Sequence, residues 1–236
     1  MKGVVRILLA TALLSSASGF AQTPEPIATA PAKTPAEVSF QFDRTGLPVP
    51  RFTLRIREDG TGRYEADQAE IPATPNSMRG QAAQHIDRPL NLTSATVAKI
   101  FKASRSQNHF NIECASKLKN IADTGKKTLT YTGADGSGSC LYNYSENKSV
   151  DMLTNTFLAI AYTIDEGRRF EFLHRYDRLG LDAEMISFVQ EVDAGRALEL
   201  GTISPTLAAI ADDTALIQRV RLKAQKMLEQ IAAEGH

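Results

Sequence analysis

The side chains of this chain that are able to do chemistry are few and lie far apart in the sequence. There are two cysteines and four histidines. No pair of histidines has the spacing of a helical zinc site, and no histidine stands in a cysteine–histidine signature of a nucleophile. We therefore predict no catalytic residue, no metal ligand and no cofactor among these histidines: His85, His109, His174 and His236.

The N-terminal stretch has the three parts of a secretory signal peptide. Lys2 and Arg6 give it a positive start, Ile7–Leu14 is a short apolar run, and residues 19–21 fit a cleavage site. The apolar run is too short to span a bilayer comfortably. We expect a signal peptide over 1–21 and a soluble periplasmic or secreted protein with no integral membrane segment after cleavage. The alternative is a buried helix of the mature fold.

The predicted export bears on the redox state of the two cysteines. In an oxidising compartment Cys114 and Cys140 are expected to form a disulfide bond. In the chain-entropy model such a bond stabilises the fold by about 3.5 kcal/mol. The alternative is a pair of buried free thiols.

Alternating apolar and polar residues predict a sheet that begins after a linker. Residues 22–36 are rich in Pro, Ala and Thr, which favours an extended tether. Every second residue is apolar in Val38–Phe42 and again in Phe52–Ile56, as in half-buried strands. The Asp-Gly pair at 59–60 favours a hairpin turn into a third strand. We expect a meander, with one more strand over His85–Leu90.

A second hairpin is predicted between the cysteines and the longest apolar helix pattern. Its strands are expected over 128–132 and 139–144, with a flexible, exposed, glycine-rich tip at 134–138. An anion-binding loop or a serine nucleophile would need a helix directly after this tip, and a strand follows instead. We therefore interpret the tip as a turn without chemistry.

The helix signals place one helix before this hairpin and several after it. Thr93 is predicted to cap the first helix. Val150–Ile164 has apolar residues at spacings of three and four, and Gly167 has the position of a C-cap. The fold class is therefore α+β: an antiparallel sheet of hairpins covered by helices over 37–166, and an all-helical C-terminal extension over 167–236.

Three boundaries are predicted within this C-terminal extension. Gly180 is expected to end its first helix, and Asp182 to cap the next. The Ser-Pro pair at 204–205 is a strong start signal for another helix. Asp213 or Thr214 is expected to cap the last one.

Mixed charges surround His174 within this helical part. Arg168, Arg169, Arg175 and Arg178 are interleaved with acidic residues, which usually indicates a solvated, salt-bridged helix face. An anion-binding patch is the alternative.

Composition narrows the choice of partners. The 236 residues are 23% charged and 42% hydrophobic, as in an ordinary globular protein, and the formal net charge is zero. Nucleic acid is therefore not an expected partner, because no basic excess is available to bind phosphates. The absence of tryptophan weakens a sugar-stacking role.

A strand at 40–43, a turn at 57–62 and Tyr64 are followed by a predicted helix, hairpin and helix. In these features the chain resembles uncharacterised bacterial secreted proteins of unknown function. This resemblance implies no activity. The last helix, from Asp213 to Leu228, resembles one helix of a HEAT-type repeat, but repeat arrays need about three units, so we expect an appended helical part rather than a solenoid.

Two hypotheses of function follow from these patterns. The first is a non-catalytic envelope or secreted module that binds a protein partner through its C-terminal helices. The second is an enzyme, most simply a hydrolase, whose site is assembled from scattered residues. We favour the first, because the sequence offers a long amphipathic helix and no catalytic motif.

Overall fold

A six-stranded antiparallel sheet forms the N-terminal part of the described chain. The computed structural model describes residues 35–73 and 80–234, so the predicted signal peptide, most of the linker and His236 lie outside the described residues. The strands follow the order β4-β3-β2-β1-β5-β6 across the sheet. They are β1 (Glu37–Asp43), β2 (Arg51–Arg57), β3 (Thr61–Gln68), β4 (Gln84–Asn91), β5 (Lys126–Gly133) and β6 (Gly136–Tyr142).

The predicted meander is confirmed, and so is its apolar face. Phe40 lies opposite Leu54 on β2 and opposite Leu129 on β5, so these three side chains share one face of the sheet. Helices cover this face, since the ring of Phe40 stacks on Phe157 with centroids 5.1 Å apart. The opposite face carries cross-strand ion pairs. Five predicted core residues are all buried: Phe40, Phe42, Phe52, Leu54 and Ile56.

Within the described ranges, five helices and two one-turn helical segments complete the α+β fold. Thr93 caps the first helix as predicted, accepting a hydrogen bond from the backbone N–H of Thr96. The helices are α1 (Ser94–Ser106), α2 (Lys148–Tyr176), α3 (Arg178–Asp193), α4 (Ser204–Asp212) and α5 (Gln218–Ala233), and the one-turn segments are Asn108–Phe110 and Leu200–Ile203.

The helix predicted to end at Gly167 continues for another nine residues, to Tyr176. Gly167 is therefore not a C-cap. It is buried inside α2, and a Cβ there would lie 2.3 Å from Cγ2 of Ile203. The glycine serves close packing of the segment around Ile203, and this contact overrides its poor helix propensity. The predicted boundary between 166 and 167 thus lies inside a continuous helix.

Two further boundary predictions in the helical part were wrong. Asp177, not Gly180, separates α2 from α3, and its carboxylate caps α3 by accepting from the N–H of Gly180. Asp182 is no cap but a buried residue within α3, where it accepts from Arg219 and Lys223 of α5. The sequence near Asp182 does not distinguish a helix cap from an ion-paired residue, because its partners Arg219 and Lys223 lie about 40 residues away.

Helix α4 starts close to its predicted position, whereas α5 starts later in the sequence than its predicted cap at Asp213 or Thr214. Ser204 is the first residue of α4, with Pro205 in the first turn. Helix α5 begins at Gln218, and Asp213 caps the turn before it by accepting from the N–H of Ala215. A second apolar core lies among α2–α5, and its fully buried members are Phe170, Leu181, Met185, Phe188, Leu207, Ile210, Val220 and Ala224.

The glycine-rich tip of the second hairpin is shorter and less exposed than predicted. Only Ala134 and Asp135 separate β5 from β6. Gly138 lies within β6, where a Cβ would stand 2.5 Å from the carbonyl oxygen of His109. The segment Asn108–Phe110, with φ of 50, 56 and 65°, therefore lies against the hairpin, and glycine gives it room.

The predicted disulfide bond is present in the structure. Cys114 and Cys140 are bonded, with their Cα atoms 5.7 Å apart, and both are buried. The bond fastens the loop after Asn111 to β6, which is an edge strand of the sheet. Among the described residues, no helix combines the length and the apolarity needed to cross a membrane.

Candidate functional site

A groove between α3 and α5 is an apolar concave surface of the described chain. Its volume is about 300 Å³. Ile186 and Val189 of α3 form one wall, and Lys226 and Met227 of α5 form the other. The two helices are fixed to each other by the buried carboxylate of Asp182, which binds Arg219 and Lys223 at 2.5 and 3.1 Å.

The groove combines a packed floor with an apolar wall in solvent. Met227 is only 4% exposed and belongs to the helical core, whereas Ile186 is 44% exposed. Val189 and Val192 are partly buried against the same core. Methionine adapts its shape to different neighbours, so the floor of the groove can adjust to an apolar side chain placed beside the exposed Ile186.

The rim of the groove carries charges of both signs. Lys226 and Asp193 line it, and neither forms an ion pair or a side-chain hydrogen bond with another described residue. Lys223 also lines the groove, but its charge is paired with the carboxylate of Asp182. A bound segment therefore finds one free ammonium and one free carboxylate beside an apolar surface.

A dense cluster of titratable groups lies elsewhere, where both hairpin turns meet α1. The guanidinium of Arg105 donates to Glu58 at 2.6 and 3.0 Å and to Asp135 at 2.7 Å. The hydroxyl of Tyr131 donates to the other oxygen of Asp135 at 2.7 Å, and Nε2 of His109 lies 3.7 Å from this carboxylate. One helix is thereby tied to two turns.

The pKa values of Asp135 and Tyr131 do not suit these two groups to acid–base catalysis near neutral pH. Hydrogen bonds from Arg105 and then Tyr131 hold the pKa of Asp135 far below its usual range. Burial and the bond to Asp135 raise the pKa of Tyr131 to about 12. At pH 7 the carboxylate is thus a weak base and the phenol a weak acid. The arrangement is that of a structural clamp.

A second polar cluster is buried between the sheet and α2. The hydroxyl of Tyr64 donates to both carboxylate oxygens of Asp165, each at 2.9 Å, and Arg168 binds the same carboxylate at 3.2 Å. Burial raises the pKa of Asp165, although both partners act against this shift. Burial and the neighbouring carboxylate also raise the pKa of Tyr64. This cluster anchors α2 to β3.

Glu166, the next residue along α2, is the most perturbed acid of the helical part. Burial, followed by the charge of Glu184 on α3, raises its pKa to about 8. Its Oε2 is buried without a hydrogen-bond partner among the described residues. Neither Glu166 nor Asp165 lines the groove between α3 and α5.

The charged face predicted around His174 is salt-bridged. His174 and Arg178 both contact Asp213, at 2.8 and 3.5 Å, and Arg169 contacts Glu184 at 2.7 Å. These three cations therefore face carboxylates, as expected of an ion-paired face, whereas the guanidinium of Arg175 lies 5.9 Å from the ring centroid of Tyr176. His85 likewise lies 2.9 Å from Asp67.

Other predicted features stay apart from the groove. His109 packs on Tyr131, and the disulfide lies in the sheet part. In the described ranges, no group of three or more His, Cys, Asp or Glu side chains is arranged to hold a metal ion. Sequence patterns missed the groove because Met185, Ile186, Phe188 and Val189 are all apolar, and the sequence does not reveal which of them faces outward.

Comparison with known proteins gives no family for this chain. No family model matches it, and no curated protein matches it. The fold and the groove therefore allow a description of the architecture only. This is an α+β protein with a disulfide-bonded sheet part and a helical part that presents an apolar groove.

Proposed function

We propose that this chain is an exported, non-catalytic protein-interaction module that binds an amphipathic helix of a partner protein between α3 and α5. The groove between these helices is the observation that carries the proposal. It joins the exposed Ile186 and the adaptable Met227 to a free lysine on a rigid pair of helices. Such grooves accept the apolar ridge of a third helix.

The charges of the rim define the chemistry of this partner helix. The ammonium of Lys226 and the carboxylate of Asp193 are both free to pair across an interface. The partner helix is therefore expected to carry an acidic residue and a basic residue on either side of an apolar ridge. Charge pairs at the rim of an interface orient the partner and speed its encounter more than they add affinity.

Two observations support export and absence of catalysis. The disulfide bond between Cys114 and Cys140 is compatible with a location outside the cytoplasm, as the predicted signal peptide over 1–21 would require. The cluster around Arg105 holds Asp135 as a weak base, so this cluster favours a clamp over the site of a hydrolase.

The test is site-specific photo-crosslinking of the full mature chain, 22–236, in envelope extract. A truncation at 166 is unsuitable, because it would cut α2 in its middle. A photo-reactive residue replaces Ile186, and a matched control carries it at Leu141 on β6, which is also exposed. Mass spectrometry of the adduct identifies the partner and the segment attached.

The expected result is a protein adduct at position 186 that is absent at 141 and is weakened by adding Lys226→Glu. The attached segment should have helical periodicity with acidic and basic flanks. Cross-linking to a second copy of this chain, to a segment without that pattern, or equally at both positions would contradict the proposal.

A further inference from the structure

Two exposed leucines lie beside the groove between α3 and α5, one on each helix. Leu179 of α3 is 84% exposed, and Leu222 of α5 is 53% exposed. Neither side chain lines the groove itself. Large apolar side chains that stay in solvent next to an apolar concave surface indicate that a binding surface continues beyond it.

Leu179 is in line with Ile186, which forms a wall of the groove. The two residues are seven positions apart within α3, and seven residues make two helical turns less about 20°. Ala183, between them, is exposed as well, so α3 carries an apolar stripe at spacings of four and three. Leu179 therefore extends the wall by two turns, or about 10 Å, towards the start of α3.

Leu222 has a corresponding position on α5. It precedes Lys226, which lines the groove, by four residues, so the two side chains are neighbours on one side of α5. The two helices run in the same direction. Asp182 near the start of α3 binds Arg219 near the start of α5, and the last turns of both helices line the same groove. Leu179 and Leu222 thus lie at the same end of the groove.

A helix is the occupant that contacts both leucines and fills the groove at once. Its apolar ridge enters the concave floor at Met227, and its flanks contact the side chains on either side. A flat lipid surface would contact the leucines and leave this floor unfilled. From Leu179 to Asp193, α3 is about 21 Å long, so a helix that meets both ends needs about 14 residues, or four turns.

We propose that Leu179 and Leu222 extend the binding surface of the groove, and that the partner helix has at least four turns with an apolar residue at every seventh position. This pattern rests on the proposed function, the binding of a helix between α3 and α5. Residues seven apart return to one side of a helix every two turns, which matches the spacing of Leu179 and Ile186. The partner is therefore a helix with a heptad repeat.

The test is photo-crosslinking of the full mature chain, 22–236, in envelope extract, with the photo-reactive residue at Leu179, at Leu222 or at Ile186. A matched control carries it at Leu118, which is 59% exposed in the loop before β5. Mass spectrometry maps the partner residue attached at each position. A fluorescent synthetic peptide of the mapped segment is then titrated by anisotropy with the wild type, Leu179→Ala and Leu118→Ala.

Positions 179 and 186 should attach to one segment of the same partner, at residues about seven apart, and position 222 should attach to that segment too. Leu179→Ala should weaken peptide binding about tenfold, because it removes a side chain that binding buries, and Leu118→Ala should leave it unchanged. Both side chains are exposed in the free chain, so both variants are expected to fold.

The extended surface and the proposed function fail in different ways. An adduct at 186 with none at 179 or at 222 would overturn the extension and leave the proposed function standing. The absence of a protein adduct at 186 would refute the proposed function itself. Attachment of position 179 to lipid, to a different protein, or to a residue adjacent to the one reached from 186 would also overturn the extension, as would equal peptide affinity of Leu179→Ala and the wild type.

Discussion

Replacing Glu166 by glutamine tests how a buried acid couples the stability of this fold to pH. In the folded chain its pKa rises from the ordinary 4.5 to about 8, because the side chain is largely buried and Glu184 faces it from α3. The other charges nearby are those of Arg169, which opposes the shift, and Asp165, which adds to it. Glutamine keeps the shape of the side chain and cannot ionise.

The sign of the effect follows from where the proton is held. Between pH 4.5 and about 8 the folded chain keeps a proton on Glu166 that the unfolded chain has released. The free energy of unfolding therefore falls as pH rises through this window. The stabilisation from protonated Glu166 is complete below the unfolded pKa and is lost once the pH has passed the folded one.

The magnitude follows from the size of the shift. At about 1.4 kcal/mol for each pH unit, a fully buried group with this shift would contribute roughly 5 kcal/mol. Glu166 keeps some contact with water, which screens the charges, so we expect about 2 kcal/mol. Glu166→Gln should therefore be about 2 kcal/mol more stable than the wild type above pH 8 and nearly equal to it near pH 4.5.

The assay is urea unfolding followed by circular dichroism at several pH values from 4.5 to 9. Glu229→Gln is the control, because Glu229 is an exposed acid of α5 that accepts a hydrogen bond from Gln225 of its own helix. Its unfolding free energy should follow the wild-type pH profile. A constant difference between Glu166→Gln and the wild type across this range would refute the reasoning.

Three further changes test the packing of the sheet part, each by urea unfolding. Gly138→Ala should cost about 1–3 kcal/mol, because the new methyl group meets the backbone of the neighbouring segment, while Ser137→Ala on the same strand should be nearly neutral. Replacing Cys114 and Cys140 together by serine should cost about 3.5 kcal/mol, since the bond closes a separation of 26 residues, and a loss below about 1 kcal/mol would contradict this account. Tyr64→Phe should cost about 1–3 kcal/mol, because it removes a donor from a buried carboxylate, and an unchanged unfolding midpoint would show that water replaces the hydroxyl.

Local patterns predicted most of the sheet part correctly. The alternation in Val38–Phe42 and Phe52–Ile56 gave the strands and their buried face, and Thr93 gave the start of α1. These features depend on neighbours within a few residues, or on which face of a strand avoids water. The disulfide was also predicted, because two cysteines allow a single pairing within the chain.

The structural roles of two glycines depended on residues that are distant in sequence. Gly167 has the sequence signature of a helix end, yet Ile203 packs against it inside α2. Gly138 has the signature of a mobile tip, yet the backbone of His109 lies against it. In both places glycine makes room for a close approach, and the sequence nearby does not record what approaches.

Local residue patterns were enough to predict the fold class, the strands of the meander, the helical character of the C-terminal part and the cysteine pair. Packing between distant segments fixes which apolar residues of α3 face solvent, which acids are buried beside one another, and which charges stay free. Periodicity reports how a segment divides between water and core, whereas a site depends on the distances between segments. Ile186 and Lys226 lie 40 residues apart, and only the packing of α3 on α5 places them in one groove.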